Sequence, residues 1–202
     1  MTILMLCMIS SPLAMPSGAA AARASPCTAS ICLNEVMPNP NGYDDAAWPG
    51  GEWAEVKNTG AVAVSVLNWQ LQNSNGKTLD FDANSIVGYN SSNSSTWTIQ
   101  PGAWMVVARN ADTNFWMTNT QDAMSLYDAN SSKVDEASWG TAGSGVSYIE
   151  DPADAYADWI AANNSTPGSA NGGGVTPPTY SQSDLMLSEV FRCMSLDIII
   201  TS

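Results

Sequence analysis

From Ile31 to about Asn171 the chain is a series of short, alternating apolar–polar stretches, each closed by a cluster of Pro, Asn and Gly. A period of two turns one face of a strand toward a core, whereas an amphipathic helix repeats near 3.6 residues. ICLNEV alternates and runs into the breaker PNPNG, and WAEV is closed by KNTG. In AVAVSVLNWQLQN the apolar face carries Val62, Val64 and Val66, then passes to the one carrying Leu67, Trp69 and Leu71. Such a change of face predicts two strands, or one strand with a bulge near Ser65 to Asn68. A turn at NSNGK leads into TLDF, and a polar loop spans Asn90 to Ser95. WTI, a Pro101-Gly102 turn and AWMVVA follow, the last apolar enough for a central strand. AMSLYD and VDEASW, joined by DANSSK, predict a hairpin, and one helical turn is expected around Ala153 to Ile160. Strands this short and this regularly spaced predict an all-β sandwich.

Composition narrows the chemistry. The 202 residues include no histidine, which excludes Ser-His-Asp and Cys-His catalysis and His-bound zinc. A net charge of −13, with Arg23, Lys57, Lys77, Arg109, Lys133 and Arg192 scattered singly, argues against a nucleic-acid partner. The excess of acid reads first as a solubility device.

The two ends differ from the middle. Residues 1–24 read as an export signal: TILMLCMI is apolar but too short to span a bilayer, and Ala22-Arg23-Ala24 offers a small-x-small cleavage pattern. No Lys or Arg precedes the apolar run. Export predicts an extracellular or cell-surface protein with no transmembrane span. Cys27 and Cys32 are close enough for a local disulfide in an oxidising compartment, and Cys32 reads equally well as a buried strand thiol. Asn90, Asn93, Asn130, Asn163 and Asn164 begin N-x-Ser/Thr acceptor sequences. After a domain over residues 25–171, residues 172–184 form a Gly/Pro/Ser linker. LMLSEVF (185–191) then repeats ICLNEVM (31–37), which predicts the truncated start of a second copy over residues 185–202.

Six elements in order resemble the lamin tail domain, an immunoglobulin-like module of nuclear lamins and of many secreted prokaryotic proteins. They are NEVMPNP (34–40), EWAEVKNTG (52–60), VLNWQLQN (66–73), IQPGAWMVVARN (99–110), MSLYDANSSKVDEASWG (124–140) and TPGSAN (166–171). The resemblance implies an immunoglobulin-like β-sandwich with an interaction or display role and no catalytic residues. Family members sit beside secreted hydrolases or surface-anchoring segments, and in animals serve the nuclear envelope. On the residues themselves, Trp53 and Trp69 are expected to pin the two sheets together. Gly60, Gly76 and Gly102 are expected in turns that need positive φ or a small residue, and Asn58 should satisfy turn backbone groups.

Carboxylates are the only catalytic groups available. Asp44, Asp45, Glu52, Glu55, Asp80, Asp82, Asp135 and Glu136 offer many pairs, with no spacing that singles one out, and they are expected as solvated surface. Calcium is the one cofactor worth weighing, with Asp44, Asp45, Asp80 and Asp82 as weak ligand candidates. Asp80, Asp82 and Asn84 would point one way from an extended strand, and Asp128 with Asn130 begins like an EF-hand loop. Neither stretch carries that loop's glycine and closing glutamate. Trp48, Trp116 and Trp159 stand in polar, loop-like surroundings and are the candidate ligand contacts; Trp104 and Trp139 lie in strand patterns and are expected in the core. The sequence therefore predicts an exported, non-catalytic adhesion or accessory module whose partner is a protein or glycan at the cell surface or in the matrix. The alternatives are an accessory domain of a longer secreted hydrolase and a carboxylate-dependent hydrolase.

Overall fold

In a computed structural model of the protein, the structure describes residues 27–151, 159–162 and 164–171. The expected export signal, linker and second copy, with Asn163 and most of the expected helical turn, lie outside these residues, while Ile160 itself begins a strand. The strands are β1 (Ile31–Asn39), β2 (Trp53–Asn58), β3 (Val64–Ser65), β4 (Gln70–Asn73), β5 (Thr78–Asp80) and β6 (Thr98–Ile99). They continue as β7 (Trp104–Ala108), β8 (Asp122–Tyr127), β9 (Lys133–Trp139), β10 (Val146–Ile149) and β11 (Ile160–Ala161). Among the described residues the one helical element is a 3-10 turn at Ser94–Trp97.

All pairings are antiparallel. One sheet runs β11-β10-β1-β2-β7, the facing sheet β5-β4-β8-β9, and β3-β6 forms a small ribbon. AVAVSVLNWQLQN divides between the ribbon and the facing sheet, with Asn68 at φ 64° in the break. The single chain thus supplies strands to two layers, which is why its apolar face changes. Between the layers lie Val36, Val56 and Val107 from one sheet and Leu71, Met124, Leu126 and Trp139 from the other. Phe81, fully buried, follows β5 and fills the core from a turn whose backbone bonds to Trp69 and Asn68. At the seam between sheets the Leu33 N–H donates to Asp135 Oδ2 at 2.8 Å, tying β1 to β9.

Turn chemistry follows the sequence. Gly76 and Gly102 adopt φ of 73° and 78°, values open to glycine without strain. Gly60 instead has no room, since a Cβ there would lie 2.9 Å from Ser30 Cβ. Asn58, fully buried, donates to the carbonyls of Val62 and Ile99 and accepts from Gly60 N–H, joining β2 to the ribbon. Cys27 and Cys32 form a disulfide with Cα atoms 5.9 Å apart at the start of β1.

Trp53 departs from its expected place. Trp69 belongs to the core between the sheets, but Trp53 sits on the outer side of β2 in a separate cluster with Met37, Val106 and Ala108. Apolar alternation fixes that a side chain is buried, not which of two covers buries it, and here the cover is the 41–52 loop. Phe81→Ala is expected to lower unfolding free energy by about 3–5 kcal/mol, because the cavity opens between two sheets that cannot collapse onto it. Urea denaturation followed by tryptophan fluorescence measures this.

Candidate functional site

The outer face of the five-stranded sheet holds charges that the alternation pattern concealed. Glu35 on β1 and Glu55 on β2 are register partners, both with no solvent exposure. Like charges directly opposite each other on antiparallel strands repel, and a buried carboxylate needs donors. The closing segment TPGSAN supplies them. Thr166 N–H donates to both Glu35 oxygens, at 3.2 and 3.0 Å, and its hydroxyl donates to Oε2 at 3.1 Å. Gly168 N–H donates to Glu55 Oε2, and Asn34 Nδ2 donates to Glu55 Oε1 at 2.6 Å. Asn171 exchanges hydrogen bonds with Asn34, accepting from its Nδ2 at 2.8 Å and donating to its carbonyl at 3.0 Å. The loop is thereby latched across the sheet. Loss of water raises the Glu55 carboxyl to about 7; the Gly168 and Asn34 donors and Lys57 oppose this, and Glu35 adds to it.

A third buried carboxylate ties loops at the same end as Trp48. Glu52 Oε2 accepts from Arg109 Nη1 at 2.9 Å and Oε1 from Met117 N–H at 2.9 Å, while Glu52 N–H donates to the Asp44 carbonyl at 2.8 Å. Burial outweighs both the Met117 donor and the Arg109 charge and pushes Glu52 up to about 8. Asn110, which follows Arg109, accepts from Trp48 N–H at 2.8 Å and donates to the Asn84 carbonyl at 2.7 Å. The Trp48 ring meets Trp53 edge-on, with centroids 5.8 Å apart at 83°. Gly51 permits the loop's close return: a Cβ there would fall 2.1 Å from the Ala46 carbonyl oxygen. The expectation that Glu52, Glu55 and Asp135 are solvated surface is thus corrected. In a period-two strand an outward Glu is indistinguishable from one beneath a later loop.

The three tryptophans do not form one surface. Trp48 is half-buried on the outer face of the sheet, and Trp116 is half-buried in a loop fixed by Asn73 Nδ2, which donates to its carbonyl at 2.9 Å. Lys77 Nζ lies 5.9 Å above the Trp116 ring. Trp159 is only 3% exposed and packs in the main core, so the expectation that it offers a ring to a ligand is corrected. Trp104 moves the opposite way: expected in the core, it is half-buried on the outer side of β7, with Lys57 Nζ 5.2 Å from its ring centroid.

Asp80 and Asp82 line one polar cleft together with Asp112 and Arg109. β5 ends at Asp80, so the extended placement expected for Asp80, Asp82 and Asn84 is not formed. Asp82 Oδ1 instead accepts from the N–H groups of Asn84 and Ser85, at 2.7 and 3.3 Å, closing a turn. Asp128 closes the β8–β9 turn in the same way, accepting from Asn130 and Ser132. Asp44 and Asp45 lie instead on the 41–50 loop. Among the described residues, the group of three metal-capable side chains with ligand atoms within 4.8 Å of one another is Cys27, Cys32 and Asp135, whose sulfurs are already bonded to each other.

Two depressions flank Trp48 on the outer face. One, of about 510 Å³, runs along β7 past Trp104, Thr96, Thr98 and Gln100; the other, of about 330 Å³, passes Trp53, Asn41 and Ser165. Trp48 and Pro167 line both, and Gly168 lines the first. Sequence reading missed Trp104, Thr96, Thr98 and Gln100, because nothing in an apolar strand marks which face a distant loop leaves open.

Compared with known proteins, residues 24–141 match the Lamin Tail Domain family model. The match covers β1 to β9 and ends before β10, β11 and the latched segment. No curated protein matches the chain. No helix among the described residues is long and apolar enough to cross a membrane.

The raised carboxyls set the pH dependence. A carboxyl that stays protonated in the fold but ionises in the unfolded chain takes up a proton on folding. Stability is therefore full below the ordinary value of 4.5 and is lost as pH climbs through about 7 for Glu55 and about 8 for Glu52. The melting temperature is expected to fall by at least about 3 °C between pH 5.5 and 8.5. Glu55→Gln should make that fall shallower, as differential scanning calorimetry at matched ionic strength would read.

Proposed function

Since the chain belongs to the lamin tail domain family, an immunoglobulin-like β-sandwich, we propose that it is an exported, non-catalytic interaction module working at or beyond the cell surface. Its scaffold carries a partner-binding face for a protein or glycan, and in a longer secreted protein it serves as an accessory domain. The observation that carries this reading is the use made of the buried carboxylates. Glu35, Glu52, Glu55, Asp122 and Asp135 all accept hydrogen bonds from backbone N–H groups and hold segments together. A hydrolase needs two carboxylates converging on open space at a usable separation. In the cleft holding Asp80, Asp82 and Asp112, the latter two carboxylates each close their own turns.

Export is supported by the apolar, Ala-rich start of the sequence and by the Cys27–Cys32 bond, which persists in oxidising compartments. A nucleic-acid partner is disfavoured by the net charge of −13.

The full chain is expected to be retained on at least one immobilised cell-wall, matrix-protein or polysaccharide surface while turning over no chromogenic glycoside or phosphodiester. Trp48→Ala combined with Trp116→Ala should lower retention at least about tenfold without loss of the folded circular dichroism spectrum, an effect on the scale of aromatic contacts at binding faces. Turnover abolished by Asp82→Asn or Asp112→Asn would overturn the reading in favour of a hydrolase.

A further inference from the structure

The two depressions beside Trp48 share a lining chemistry that separates them from the rest of the surface. The protein carries 19 acidic and 6 basic residues, yet no ionisable side chain lines either depression. Both are lined by Trp48 and Pro167, so the two depressions adjoin at these residues and together make one candidate groove of two lobes. Trp104 lies in the larger lobe beside Trp48, both half-buried, while Trp53, only 3% exposed, backs the smaller one. The lining also carries neutral hydrogen-bonding groups: Thr96, Thr98 and Gln100 in the larger lobe, Asn41 and Ser165 in the smaller.

We propose that this groove binds a neutral oligosaccharide chain, with sugar rings lying against the half-buried Trp104 and Trp48. This inference rests on the surface-module reading and names its ligand class. The chemistry selects the occupant. A sugar ring presents an apolar C–H face that stacks on an indole and a rim of hydroxyls that need amide and hydroxyl partners; the groove offers both. An anionic chain would meet a protein of net charge −13, against which the single ammonium of Lys57, 5.2 Å from the Trp104 ring centroid, is a small counterweight. A cationic peptide would find no carboxylate there, since Glu35 and Glu55 beneath the Thr166–Asn171 loop are already engaged by its N–H groups. Each lobe falls within the size range of small-molecule sites, and two adjoining lobes suit a polymer better than a single sugar.

The groove is held in place from below. Pro167 and Gly168 form part of its wall in the segment that Glu35 and Glu55 latch, and Trp48 is held by Asn110 and Trp53. A ligand thus meets a pre-formed wall, which limits the ordering cost on binding.

The test is isothermal titration of the full chain with hexasaccharides of glucose, mannose, xylose and N-acetylglucosamine, alongside oligogalacturonate and a sulfated oligosaccharide. At least one neutral series is expected to bind with affinity rising from disaccharide to hexasaccharide. Trp48→Ala should weaken that binding at least about tenfold, the scale of one lost aromatic contact. Gln100→Ala, an exposed position that leaves the core intact, should weaken it about threefold or more, the scale of one hydrogen bond. Trp116→Ala, outside the groove, should leave it unchanged. Binding confined to the charged oligosaccharides, or neutral binding indifferent to both Trp48→Ala and Gln100→Ala, would overturn the groove. If no sugar binds but the protein is retained on a protein surface, the groove proposal fails and the surface-module reading stands. If it is retained on no surface at all, both fail.

Discussion

The structure turns on two carboxylates that oppose each other across adjacent strands and have no solvent exposure. Glu35 and Glu55 would repel and lack water unless something donated hydrogen bonds to them, and the Thr166–Asn171 loop does so through the backbone of Thr166 and Gly168. Neither half of this arrangement is stable alone. Without the loop the glutamates form a like-charged pair on a sheet; without the glutamates the Thr166 and Gly168 N–H groups lose their acceptors. The latch therefore couples the beginning of the domain to its end, across 131 residues of sequence.

From this constraint the outer face acquires its shape. A sandwich sheet normally presents its outer side to water, but here two loops roof it: the latched segment over Glu35 and Glu55, and the 41–52 loop over Met37, Trp53 and Ala108. The second roof has its own buried acid, Glu52, paired with Arg109 and bonded to Met117 N–H. Where the roofs leave a gap, tryptophan and neutral polar groups remain open and form the groove. The acidic character of the chain and the neutrality of its groove are thus separate outcomes, and the buried acids fasten loops.

Much of the fold was legible in the sequence. Period-two alternation and turn residues located the strands, and the shift from Val64 and Val66 to Trp69 and Leu71 marked the passage from the ribbon to the facing sheet, although Val62, expected on the same apolar face, is 66% exposed before β3. The spacing of Cys27 and Cys32 allowed the bond the structure forms. The site was far less legible. A glutamate on the outward phase of a strand gives no sign that a loop more than a hundred residues later will bury it. Trp53 and Trp104 share the alternation of core residues, yet both face outward, and Trp159 follows a polar stretch yet packs inside. What a strand pattern cannot carry is the long-range contact of loops. The one faint signal was an Asn-Glu pair set inside the otherwise apolar Leu33–Val36 run, which asks for a buried partner.

The central claim is that the carboxylates of Glu35 and Glu55 hold the closing loop as firmly as strand pairing holds the sheet. Amide hydrogen exchange, read residue by residue by nuclear magnetic resonance, tests it directly. The account requires the Thr166 and Gly168 amides to exchange on the timescale of the β1 and β2 amides, and to lose at least about tenfold in protection in Glu35→Ala or Glu55→Ala while the β8 and β9 amides keep theirs. Exchange of Thr166 and Gly168 at the rate of the exposed Asn90–Ser95 loop in the unaltered protein would contradict it.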